Sequence, residues 1–214
     1  MVKVKICGIT SKEDAANCLR LGADAIGTVV DVPVDTPRKI TTTKAGDIHS
    51  SLPFLTPGVA VIMPKSVEET VEMVLKIRPY AVQLHGNESI EFLKELKDRL
   101  QIKIIKTVHV KDEKAFKAAY EYSKYCDAIL LDTATSKLGG SGLKHDWGIS
   151  KKIVGNIKKP VILAGGLRPE NVKEAVREVM PYGVDVSSGV ESEAGRKDYD
   201  MVKRFIDNAK GALR

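Results

Sequence analysis

Val161-Ile162-Leu163-Ala164-Gly165-Gly166-Leu167-Arg168-Pro169-Glu170-Asn171-Val172 holds one complete structural unit. An unbroken apolar run comes first, a glycine pair ends it, and a helical pattern follows over 169–180. An apolar run without polar alternation reads as a strand buried on both faces, as in a parallel sheet covered by helices. Pro169 suits the first turn of the helix, where an amide proton has no partner to lose.

The same unit recurs on both sides of this stretch. Strand candidates are Val4–Gly8, Ala25–Val30, Gly58–Met63, Ala81–Leu84, Ile102–Thr107, Ala128–Leu131, Val161–Ala164 and Val184–Val186. Helical patterns lie between them, near 11–21, 41–51, 66–77, 88–99, 112–123, 148–157, 169–180 and 198–211. Ser11 and Ser66 stand as caps, with Asp14 and Glu69 three positions on. No Ser/Gly linker, low-complexity tract or composition break divides the chain. Eight units in 214 residues leave about 27 residues each. That predicts an α/β protein: a single (βα)8 TIM barrel of near-minimal size over 1–214, with short loops. An open doubly wound sheet is the alternative, but no GxGxxG follows the first strand.

Composition excludes several classes. The chain is 43% hydrophobic and 29% charged, as a globular protein is, and no apolar run approaches a membrane span of roughly 20 residues. Met1-Val2-Lys3-Val4-Lys5-Ile6 reads as a strand, not a signal peptide, which predicts a cytoplasmic protein without membrane partners. Cys7, Cys18 and Cys126 are odd in number and widely spaced, which argues against disulfides or a zinc site. The net charge of +6 comes from Lys and Arg interleaved with Asp and Glu. That reads as a solvated mixed surface rather than a nucleic-acid stripe.

In such a barrel the active site lies at the C-terminal ends of the strands. The residues there include Cys7-Gly8, His85-Gly86, Asp132-Thr133, Gly165-Gly166 and Ser187-Ser188-Gly189. Glycine lets backbone amides wrap an anion, and barrels often hold phosphate with the loops after strands 7 and 8. The phosphate candidates are Gly140, Ser141, Gly142, Gly165, Gly166, Ser188 and Gly189. Cys7 ends an apolar strand, so its thiol can point into the mouth as a base. From position alone a buried small side chain is an equal reading. Asp132 ends a buried strand, where a carboxylate is functional or braces a loop. Asp185, inside strand 8, is a similar case. Arg38 offers a planar fork for an acid group, or is a solvated loop residue. His85 binds ligand or serves as a rim hydrogen-bonding residue.

The ordered set of motifs resembles the phosphoribosylanthranilate isomerase family along the whole chain. The set is Lys5-Ile6-Cys7-Gly8-Ile9-Thr10, Thr36-Pro37-Arg38, Val82-Gln83-Leu84-His85-Gly86, Leu130-Leu131-Asp132, Gly139-Gly140-Ser141-Gly142, Leu163-Ala164-Gly165-Gly166-Leu167 and Gly183-Val184-Asp185-Val186-Ser187-Ser188-Gly189-Val190-Glu191. The resemblance implies a barrel needing no cofactor or metal and a phosphorylated small-molecule substrate. The reaction it implies is an Amadori rearrangement in tryptophan biosynthesis. It makes Cys7 the general base and Asp132 the general acid, puts Arg38 by the anthranilate part and leaves the glycine loops to hold phosphate. A homodimer is compatible with it. The chain departs from the common pattern at Thr28-Val29-Val30-Asp31-Val32, where many members carry an aromatic residue, and at Thr36 and Ser141.

Two other readings are carried. One is an isomerase of another phosphorylated aminoaldose, such as the histidine-pathway substrate. Its second phosphate would want a further anion site after strands 3 and 4, where glycine is sparse. The other is a basic nucleic-acid-binding protein, supported only by net charge.

Overall fold

The computed structural model describes residues 1–133 and 147–213. Among the described residues eight parallel strands alternate with eight helices. The strands are β1 Lys3–Ile6, β2 Ala25–Val30, β3 Gly58–Ile62, β4 Ala81–Leu84, β5 Lys103–Val110, β6 Ala128–Thr133, β7 Val161–Leu163 and β8 Gly183–Val186. The helices are α1 Lys12–Arg20, α2 Thr42–Ser50, α3 Val67–Ile77, α4 Ile90–Arg99, α5 Lys114–Ser123, α6 Trp147–Asn156, α7 Val172–Val179 and α8 Tyr199–Lys210.

Each strand pairs with the next, and β1 closes the ring: Lys5 is in register with Ala25 of β2 and with Asp185 of β8. The result is a (βα)8 barrel, not an open sheet. Lys39–Ile40 adds a short strand outside β2, and Glu191–Glu193 pairs with Arg196–Lys197 after β8.

Strand alternation divides the apolar residues into two cores. Val59, Ala81, Ile105, Ala128, Leu130 and Ala164 fill the barrel interior with Ile162. The opposite strand faces, among them Val4, Ile26, Ile62, Leu84, Ile104, Leu131 and Val184, pack against the helices. Three of these seven are alanine, and the long polar side chains of Lys5 and Gln83 stand above them in the barrel.

Ser11 and Ser66 accept from the amides of Asp14 and Glu69, so both caps are as expected. Most boundaries shift by a residue or two, and two shift by three. Helix α7 begins at Val172, not at Pro169, because Asn171 is drawn into the preceding loop: its side chain accepts from Arg168 N at 2.9 Å and donates to Gly166 O at 3.0 Å. Strand β5 runs on to Val110, because β6 continues beside it and pairs His109 with Asp132 and Val110 with Thr133. No described helix is long and apolar enough to cross a membrane.

Candidate active site

One cavity at the C-terminal mouth collects every expected site residue that falls within the described part of the chain. Cys7, Arg38, His85, Asp132, Asp185, Gly165, Gly166, Ser188 and Gly189 all line it. Gly140, Ser141 and Gly142 lie outside the described residues.

The two loops thought to hold phosphate are packed against each other. A Cβ on Gly189 would fall 1.9 Å from the carbonyl oxygen of Leu167, so only glycine permits this approach. Gly165 and Gly166 both have positive φ, and Asn171 ties the Gly166 carbonyl. The Ser187 hydroxyl is buried at this end and meets no hydrogen-bond partner among the described residues. The opposite wall is aliphatic, built from Val29, Val32, Val34, Val61 and Met63. The cavity therefore has a polar end rich in backbone amides and an apolar end.

Cys7 follows β1, and its amide donates to Val186 O at 2.8 Å, which prolongs the strand pairing to the mouth. Two residues earlier on the same face stands Lys5, which sequence reasoning missed. Its ammonium donates to Asp185 Oδ1 at 2.9 Å and to Gln83 Oε1 at 3.1 Å, and also faces the Cys7 sulfur. Burial pushes the Cys7 thiol up; the Lys5 charge opposes this but does not overcome it. Lys5 is itself penalised by burial, yet Asp185 and Cys7 hold its pKa above the ordinary value.

Asp132 closes β6. Burial raises its pKa, against a hydrogen bond from its neighbour's amide, Thr133 N to Oδ1 at 2.8 Å. A raised carboxyl is what a proton donor requires. Its other oxygen lies 3.6 Å from His85 Nε2. Burial, with nearby positive charge, lowers the His85 pKa to about 3, so the ring is neutral. His85 Nδ1 is held by Gln83 Nε2 at 3.2 Å and Thr107 Oγ1 at 3.1 Å.

His85, His109 and Asp132 bring donor atoms within 4.8 Å of one another, a set that by type suits a transition metal. The 3.6 Å between His85 Nε2 and Asp132 Oδ2 is also that of a carboxyl facing an imidazole N–H. The shifts in proton affinity fit that second role.

Arg38 lines the cavity, but its fork is engaged. Nε donates to Glu191 Oε1 at 2.8 Å and Nη2 to Oε2 at 2.5 Å, while Lys197 holds Oε1 from the other side at 2.8 Å. Sequence reasoning missed Glu191 and Lys197 as parts of the site. Burial pushes the Glu191 carboxyl up, but its two cations outweigh this and hold it below its ordinary value.

Comparison with known proteins places the chain and its fold. A model of the N-(5'phosphoribosyl)anthranilate (PRA) isomerase family matches residues 4–208. The N-(5'-phosphoribosyl)anthranilate isomerase of Methanocella arvoryzae is 48% identical over 211 residues, covering 98% of this chain and 99% of its own. The crystal structure of the Thermotoga maritima phosphoribosyl anthranilate isomerase superposes with a TM-score of 0.89 at 41% identity, covering 99% of this chain and all of that one. A structure of monomers generated from the dimeric T. maritima protein gives 0.86 at 38% identity and covers 99% of this chain and 100% of that one. A further phosphoribosyl anthranilate isomerase, in complex with reduced 1-(o-carboxyphenylamino)-1-deoxyribulose 5-phosphate, gives 0.86 at 39% identity and the same coverage of both chains.

Proposed function

The chain belongs to the N-(5'-phosphoribosyl)anthranilate isomerase family, and from that premise we propose how its own residues carry out the reaction. The enzyme converts N-(5'-phosphoribosyl)anthranilate into 1-(2-carboxyphenylamino)-1-deoxyribulose 5-phosphate in tryptophan biosynthesis. The substrate phosphate lies among Gly165, Gly166, Ser188 and Gly189; Gly140, Ser141 and Gly142, outside the described residues, are assigned to it by the family resemblance alone. The anthranilate ring lies against the valine and methionine wall, with Arg38 beside it.

Asp132, protonated, gives its proton to the furanose ring oxygen as the C1′–O bond breaks and the nitrogen lone pair forms a Schiff base. The iminium acidifies the C2′ proton. Cys7, as thiolate, removes that proton, and the electron pair moves through C1′ to nitrogen to give an enolamine. Tautomerisation gives the amino-ketose. C2′ is oxidised and C1′ reduced within one molecule, and the proton taken by Cys7 offsets the one given by Asp132, so the step balances without an external oxidant. Lys5 stabilises the thiolate form, and Asp185 keeps Lys5 charged and in place.

The observation that carries this reading is the pairing of a buried, raised carboxyl with a cation-supported thiol in one cavity. The aliphatic wall speaks against a substrate with a second phosphate, as in the histidine-pathway alternative. Turnover of phosphoribosylanthranilate by Cys7→Ala and Asp132→Asn tests the assignment. Each is expected to lose roughly 100-fold or more in kcat, as removal of a general acid or base does. Near-normal turnover in either would remove that residue from its role.

We read 1–214 as one domain, and we propose a homodimer. Phe54 is 100% exposed and Leu55 89% exposed, on the loop at the N-terminal end of the barrel. Exposed Tyr80 and Tyr182 border a cavity at that same end. Such an apolar patch suits a partner surface. Light scattering would read a doubled mass, reverting to the monomer in Phe54→Glu. A cytoplasmic location is consistent with three unbridged cysteines.

A further inference from the structure

We propose that Gln83 is a positioning residue: clamped by Lys5, it sets the tautomer of His85 so that the Nε2 proton faces Asp132. The inference rests on the reading of Asp132 as the general acid.

The argument is one of donors and acceptors. An ammonium only donates, so the Gln83 atom 3.1 Å from Lys5 Nζ has to be the amide oxygen. That fixes the amide orientation. Its NH2 group then points the other way, at His85 Nδ1 at 3.2 Å and Thr107 Oγ1 at 3.3 Å. An NH2 group also only donates, so Nδ1 has to accept. Thr107 is compatible, since its hydroxyl takes a hydrogen bond from Gln83 and gives its own to Nδ1 at 3.1 Å. A neutral imidazole has one proton, and with Nδ1 accepting that proton is on Nε2. Nε2 is the atom 3.6 Å from Asp132 Oδ2.

The tautomer matters because the two choices do opposite things to the acid. With its proton on Nε2, His85 cannot receive the Asp132 proton, which then has the substrate ring oxygen as its acceptor. Once Asp132 is ionised, the same N–H supports the carboxylate. With the proton on Nδ1, the Nε2 lone pair would accept from Asp132 and hold the acid's proton away from the substrate. Lys5 thus reaches the acid through Gln83 and His85, while touching the base and Asp185 directly.

Histidine labelled with 15N shows which ring nitrogen bears the proton. The four histidines are assigned by single substitution. Wild type is expected to show His85 protonated at Nε2 only. Gln83→Glu keeps an acceptor for Lys5 but presents an acceptor to Nδ1, so His85 is expected to move its proton to Nδ1. Turnover is expected to fall roughly 100-fold in kcat, with KM changed less than about threefold. Gln83→Met, which leaves the tautomer unconstrained, should fall between the two and serves if the glutamate variant does not fold. A wild-type His85 protonated at Nδ1 overturns the proposal, as does normal kcat in Gln83→Glu or Gln83→Met. Those outcomes leave Asp132 as the acid. Normal turnover in Asp132→Asn would instead remove the acid itself, without touching the tautomer readout.

Discussion

Lys5 and Asp185 form an ion pair of 2.9 Å buried beneath the barrel mouth, on adjacent strands in direct register. Two charges taken out of water gain little as a pair, but either one alone is costly. Lys5→Met is therefore expected to lose about 3–5 kcal/mol of stability, because Asp185 is left buried without its cation. Lys5→Met combined with Asp185→Leu should recover most of that loss. Activity should stay low in both, since Cys7 has lost its cation in each. Urea unfolding midpoints and turnover on the same samples separate the two effects.

The pH dependence follows from the directions of two shifts. The active form needs Asp132 protonated and Cys7 ionised. Both pKa values are raised by burial, Asp132 from 3.8 and Cys7 from 9.0, and with the ordinary order of a carboxyl before a thiol kept, the thiol loses its proton second. The active form is then a minority state with a constant population between the two titrations. We expect kcat/KM to be flat across neutral pH. It should fall on the acid side as the thiolate fraction shrinks and on the alkaline side, above 9.0, as the remaining protonated Asp132 is lost. Thiolate absorbance titrated with and without Cys7 checks the alkaline limb. An appreciable Cys7 thiolate signal at neutral pH would contradict it.

Glu191 holds Arg38 in a bidentate grip and is itself held by Lys197. Glu191→Gln loses the charge while keeping most of the shape, so the guanidinium is no longer fixed beside the cavity. KM is expected to rise roughly tenfold with a smaller change in kcat, as for loss of uniform binding. The folded-state pKa of Glu191 lies below its ordinary 4.5, so its contribution to stability is complete above that pH. The contribution is lost as pH falls through the lower, folded value. Wild type should therefore lose more stability than Glu191→Gln on acidification below 4.5, measured by unfolding at a series of pH values.

The barrel was readable in the sequence because its strands are largely apolar on both faces and five of the described helices carry side-chain caps. Pro169 misled because a residue fit for a first helical turn is equally fit for the turn before it, and Asn171 was drawn into the loop instead of capping α7. Strand β5 runs three residues past the Thr107 expected from the sequence, which took Lys106 inside the strand without a partner. Lys106 is buried on the helix-facing side only because Glu88 meets it at 2.6 Å. Within the site, side chains at strand ends were legible, and so was Asp185 one step deeper, but its neighbours Lys5 and Gln83 at that depth were not. Lys5 precedes Cys7 by two residues and Gln83 precedes His85 by two, so strand alternation alone would have put each pair on one face. The grip of Glu191 on Arg38 had no such signal, since it joins residues 153 positions apart.

Gly165 is where the phosphate loop meets the acid. Its φ is +83°, and a Cβ there would lie 2.2 Å from Thr133 Oγ1, 2.5 Å from Thr133 N and 2.9 Å from Asp132 Oδ1. The last two atoms are the donor and acceptor of the hydrogen bond that orients the Asp132 carboxyl. Gly165→Ala thus combines backbone strain with a collision against backbone that cannot rotate away. A phosphate loop acting alone would, when disturbed, raise KM and leave kcat in place. Displacement of Asp132 predicts the reverse emphasis, because about 1 Å of misplacement at the reacting group costs roughly 100-fold. We expect Gly165→Ala to lower kcat by about that factor, beyond any rise in KM, and to reduce stability by about 1–3 kcal/mol. Steady-state kinetics with a thermal unfolding curve tests this. A variant with normal kcat and only a raised KM would show that Gly165 serves the phosphate and not the acid.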